Sequence, residues 1–137
     1  MASELKVNTL TGVSTAGSIA VTAEGNSTTT NLQQGLAKVF HAIDQTGTMT
    51  TLDSFNISTF TDSATGATTS TFSNNMGNAN YVYNLSRDRT GSQNGGIVQQ
   101  SSSSAPATSS VRYFCFNETP SSQDVDRACI SIDGDLA

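Results

Sequence analysis

The chain predicts a mainly β protein: an antiparallel β-sandwich of jelly-roll-like type, preceded by a short strand pair and a short N-terminal helix. Three observations lead there. Apolar residues make up 35% of the 137 positions and charged residues 12%, against usual shares of about 45–50% and about 25%. The chain is therefore polar without being charged, with about 40 Ser and Thr residues and scattered β-branched and aromatic side chains, the composition of pleated structure. The second half breaks into short extended segments at regular spacing, separated by Gly, Asn and Ser, which is the pattern of a sandwich. Finally, the Glu, Lys and Leu that a helical bundle needs are scarce, and the net charge is too small for a charge-driven disordered tail.

The first segment, Glu4-Leu-Lys-Val-Asn-Thr-Leu10, mostly alternates apolar and polar residues, and Ser18-Ile-Ala-Val-Thr-Ala23 partly does so. Two such strands cannot bury a core alone, because an isolated hairpin is marginal in water. Next comes a run of capping residues, Asn26-Ser-Thr-Thr-Thr-Asn31, directly before Leu32, Leu36 and Val39. That i, i+4, i+7 spacing places one apolar stripe on a short helix. So short a helix is unstable by itself, and its stripe, Leu32, Leu36 and Val39, is read as an oligomer interface between copies of the chain. Residues 1–39 are accordingly the anchoring and oligomerisation segment, and residues 40–137 the sandwich.

Strands are expected at 40–44, 48–52, 55–61, 67–72, 81–85, 97–100, 111–116 and 128–133. Asp62-Ser-Ala-Thr-Gly66 between the third and fourth makes them a hairpin. Segments 74–80, 89–96 and 101–110, rich in Asn, Gly and Ser, are loops. The core is drawn from Phe40, Phe55, Ile57, Phe60, Phe72, Tyr81, Tyr83, Ile97, Tyr113, Phe114, Phe116, Ile130 and Ile132. It is small for a sandwich of this length, so oligomerisation is a reasonable source of further burial.

Function classes narrow in the same way. With a net charge of −5 and six Lys and Arg in all, no basic footprint for nucleic acid can be assembled. No stretch approaches the roughly 20 apolar residues of a membrane span, and the N-terminal residues show no apolar signal core, which points to assembly in a cytoplasm. His41, the single histidine, sits within a strand and reads as a structural residue. Cys115 and Cys129 lack the paired spacing of a zinc site and read as reduced thiols, although their strands could be neighbours. Asp124 with Asp126, and Asp133 with Asp135, read as a solvated loop and tail, since neither pair fits an EF-hand. Gly91, Gly95 and Gly96 lack the context of a phosphate loop. No catalytic residue, metal or cofactor is expected. The surface-binding candidates are Tyr81, Arg87 and Arg89, because Tyr and Arg act as anchors on rims where Asn, Ser and Gly supply adaptable contacts.

The opening words, Ser3 to Lys38, resemble a leader carried by small virion proteins of tailed bacteriophages of marine bacteria, including cyanophages. Thr46-Gly-Thr48, Asp53-Ser-Phe-Asn-Ile-Ser58 and Met76-Gly-Asn-Ala-Asn-Tyr-Val-Tyr83 are similar to phrases of phage fibre knobs. The resemblance implies a fibre-knob-like sandwich in a non-enzymatic virion protein. It implies a short homotrimeric tail fibre or spike for host attachment, or alternatively a capsid decoration or head-fibre protein. The implied partners are its own copies, other tail or capsid proteins through the N-terminal segment, and a host-surface glycan or protein met by Tyr81, Arg87 and Arg89.

Overall fold

The computed structural model describes residues 6–12, 19–22, 29–32, 35–88, 96–119 and 121–137. The chain divides into two compact units, Met1–Leu36 and Ala37–Ala137. In the first, β1 (Ala20–Thr22) pairs antiparallel with β2 (Thr29–Asn31), and Leu32 N donates to Ile19 O at 2.8 Å. The expected short helix does not form. Thr29–Asn31 is extended, Gly35 and Leu36 lie in a turn, and Ala37 already begins a strand. The Thr run is β-branched and stiff at χ1, and from Ala37 onward an alternation of period 2 overrides the helical spacing. The predicted stripe is thereby dissolved: Leu32 is half-buried, Leu36 exposed, and Val39 fully buried on a strand of the second unit.

The second unit is an antiparallel β-sandwich. Its strands are β3 (Ala37–Asp44), β4 (Thr50–Phe55), β5 (Ile57–Ala64), β6 (Ala67–Phe72), β7 (Val82–Arg87), β8 (Gly96–Gln100), β9 (Ser110–Asn117) and β10 (Ala128–Asp133). They form two four-stranded sheets, ordered β4-β3-β10-β7 and β5-β6-β9-β8. Direct hairpins join β3 to β4, β5 to β6 and β8 to β9, while the other connections cross between sheets.

The crossing from β4 to β5 takes one residue, Asn56, in the left-handed region at φ 58°. Its side chain makes the corner possible: Nδ2 donates to Lys38 O at 3.0 Å and Asn74 O at 3.1 Å, and Oδ1 accepts from Asn74 N at 2.7 Å. Asparagine tolerates this backbone better than any branched residue.

Inward positions alternate along each strand. Val39, Ile43, Ala128, Ile130 and Ile132 of one sheet face Phe72, Val111, Tyr113 and Cys115 of the other, with Met76, Tyr81 and Val125 closing the ends of the core. Phe40 and Phe55, expected inside, stack on the outer face of the first sheet at 5.7 Å between centroids. A buried polar seam crosses the core. His41 Nε2 and Ser70 Oγ share a 3.0 Å hydrogen bond. Gln45 Nε2 donates to Thr68 Oγ1 at 2.9 Å, and Gln45 Oε1 accepts from Val125 N at 3.3 Å. Cys115 and Cys129 are both free, and burial pushes the Cys115 thiol up to about 12.

Candidate functional site

The sequence-predicted residues do not gather at one rim. Tyr81 is 7% exposed, packed edge-on against Phe72 and Tyr83. Its hydroxyl donates to Ala107 O and Ser110 O, each at 3.1 Å, and burial raises it to about 12. It ties the 101–110 segment to the sandwich and is a structural anchor: of the two places the sequence offered it, the core holds and the exposed rim is corrected. Arg87 closes β7 opposite Ala128, half-buried on the core-facing side of the sheet. Arg89 lies outside the described residues.

Removing the Tyr81 hydroxyl tests this assignment. Tyr81→Phe keeps the ring and loses two acceptor contacts, so it is expected to cost about 1 kcal/mol in urea unfolding. An unchanged midpoint would show that these bonds contribute nothing to the loop's attachment.

His41 lies between Phe60 and Tyr113, at 4.9 and 5.7 Å between ring centroids. Burial lowers its pKa to about 3, which keeps the imidazole neutral and engaged with Ser70. Asp124, one of the acidic residues singled out above, is structural too: its Oδ1 accepts from Gly66 N at 2.6 Å. Among the described residues no group of three or more His, Cys, Asp and Glu could hold a metal ion.

The chemistry collects instead on the outer face of the second sheet. Val111, Tyr113 and Cys115 of β9 point into the core, so Ser110, Arg112, Phe114 and Phe116 point outward. Phe114 and Phe116 stack at 5.8 Å with an interplanar angle of 29°, and the Arg112 guanidinium carbon sits 5.1 Å from the Phe114 centroid. The result is a column of cation, ring and ring along one strand. Register places Thr69 of β6 beside Arg112 and Thr61 of β5 beside Thr69; the next row is Ser110, Thr71 and Thr59.

The sequence reading missed this face because it assigned Phe114 and Phe116 to the core. A usable signal was present: in Val111-Arg-Tyr-Phe-Cys-Phe116 the charged residue shares its parity with both phenylalanines, and a charge marks the solvent side of a strand.

The fold and this face define a β-sandwich module carrying a separate short N-terminal unit. Comparison with protein-family models, with curated proteins and with solved structures returned no significant match.

Proposed function

We propose that this chain is a non-enzymatic structural protein of a bacteriophage particle, a short homotrimeric tail fibre or spike whose sandwich meets the host surface. One observation supports this reading above the others: the two units differ in how they bury apolar surface. The sandwich closes its own core. Its exposed large side chains, Phe40, Leu52, Phe55 and Val82, lie outside that core, whereas no described residue of the N-terminal unit belongs to a buried core and Val7, Leu10 and Val21 are 55, 56 and 50% exposed, which suits a hairpin too small to stand alone to burial against a partner. That is the division of labour of an anchor and a head, and it agrees with the leader-like wording of Ser3 to Lys38.

Assembly through the N-terminal unit has a direct test. Light scattering is expected to give about three times the 14.2 kDa chain mass. The double variant Val21→Asp, Leu36→Asp should dissociate the assembly, because each side chain contributes roughly 1.5–3 kcal/mol when fully buried. The sandwich's own melting transition should stay put, since neither residue belongs to it. A monomeric wild type, or an unaltered assembly in the double variant, would refute the anchor.

The position on the particle is read by gold-labelled antibody against the sandwich in electron micrographs of intact virions. Label at the tail supports the fibre reading. Label over the head would replace it with capsid decoration, and virions lacking the protein altogether would overturn both.

A further inference from the structure

We infer that the outer face of the second sheet is a binding site for an acidic polysaccharide, with the Arg112 guanidinium receiving a uronate carboxylate and the flanking Thr and Ser hydroxyls meeting the sugar's own. The placement of charge comes first. Among the described residues Arg112 pairs with no carboxylate, its Nε is buried without a hydrogen-bond partner, and neither row of its face carries an acidic residue. The buried Nε lies out of reach of an incoming ligand, so the terminal Nη nitrogens, which are not among the buried unpartnered atoms, are the ones a carboxylate would meet. The planar guanidinium fork matches carboxylate and phosphate geometry alike, and the sugar-like hydroxyl partners on the same face select a sugar acid between them.

Preorganisation strengthens the case. Arg112 lies against Phe114, which is backed by Phe116, so little side-chain freedom remains to be lost on binding. Hydroxyls surround the cation in a grid. Thr61, Thr69 and Arg112 form one row and Thr59, Thr71 and Ser110 the next, about 4.8 Å apart across strands and about 7 Å along them. The Thr69 hydroxyl is held in place by a 3.0 Å bond to Ser63 Oγ. Groups that can both donate and accept suit a sugar, whose hydroxyls do the same.

The chain's net charge of −5 opposes any anion at long range. At physiological salt that repulsion is screened beyond about 8 Å, whereas the contact with Arg112 is direct. One cation and a few hydroxyls imply a weak single site, with a dissociation constant of about 1 mM; repeated sugars on a surface would raise this through avidity.

The inference rests on the host-facing reading only for its biological role. Binding itself is measured on the purified full chain and can fail or succeed independently of where antibody labels a virion. Oligogalacturonate, alginate oligomers and hyaluronan fragments are titrated against nitrogen-15-labelled protein, with a neutral maltooligosaccharide and dextran sulfate as comparisons. At least one uronate is expected to shift the Arg112 Nε–H resonance and the Thr69 and Thr71 amides, with no shift from the neutral sugar. Arg112→Gln should weaken that binding about tenfold, with Arg112→Lys in between and an unchanged melting temperature for both. Absence of shifts with all three uronates, equal shifts from the neutral sugar, or full affinity in Arg112→Gln would each overturn the site. Dextran sulfate binding that matches the uronates and ignores Arg112→Gln would also overturn it, by showing a diffuse anion effect.

Discussion

Changing Gly66 to alanine is expected to lower the unfolding free energy by about 3 kcal/mol, read as a fall in the urea midpoint at constant slope. Two costs combine. Gly66 sits at φ +69°, where an L side chain is strained. Its added Cβ would also lie 2.6 Å from Cys115 O, 2.7 Å from Gln123 N and 2.8 Å from Gln123 O. All three are backbone atoms, so no side-chain rotation relieves the overlap. The crowding has a structural origin: Gly66 O accepts from Cys115 N at 2.8 Å, Gln123 N donates to Cys115 O at 3.0 Å, and Asp124 receives the Gly66 amide. The tip of the β5–β6 hairpin is thus sewn onto β9 and the 121–124 segment. Gly47 provides the control. It has φ +62° but nothing within 4 Å of an added Cβ, so Gly47→Ala should show the conformational strain alone, about 1 kcal/mol. Equal effects at the two positions would mean that close approach at Gly66 plays no part.

Acid should destabilise the protein well above the carboxylate range, through His41. Burial lowers its folded pKa from 6.5 to about 3, so the unfolded chain takes up the proton first as pH falls. The stabilisation is fully present above pH 6.5 and is lost progressively between 6.5 and about 3. The slope approaches about 1.4 kcal/mol per pH unit. Asp44, held below the usual carboxylate range by hydrogen bonds from Thr46, acts in the same direction, but it is fully exposed and titrates at lower pH. The interval just below 6.5 therefore reports His41. Urea midpoints measured across that interval should fall in the wild type and stay flat in His41→Gln, whose amide can still bond Ser70. A slope that survives in the variant would place the titrating group elsewhere.

Much of the sandwich was legible because short strands with polar turns leave a strong local record. The strands predicted at 67–72 and 128–133 are β6 and β10 to the residue, and the hairpin across Asp62–Gly66 is β5–β6. The helix over Leu32, Leu36 and Val39 failed because its spacing competes with a period-2 alternation beginning at Ala37. Val39, His41 and Ile43 gain a core from that alternation, and burial worth roughly 1.5–3 kcal/mol for each of Val39 and Ile43 outweighs the ~1 kcal/mol that a cap offers a short helix.

The candidate site was less visible. In β3 and β9 apolar residues occupy both parities, so periodicity alone does not say which side is inside. Four phenylalanines, Phe40, Phe55, Phe114 and Phe116, went outward, while Val39, Ile43, Val111 and Tyr113 filled the interior. Tyr81, expected both in the core and as a rim contact, is in the core. Composition and local pattern determined the β class and the positions of most strands, because each follows from residues close together in the chain. Strand order, the inward parity of β3 and β9, the Tyr81 hydroxyl contacts to Ala107 and Ser110 and the row of Thr61, Thr69 and Arg112 were decided only in three dimensions. Each depends on pairing residues far apart in sequence, and the sandwich selects among those pairings by which faces can close one small core.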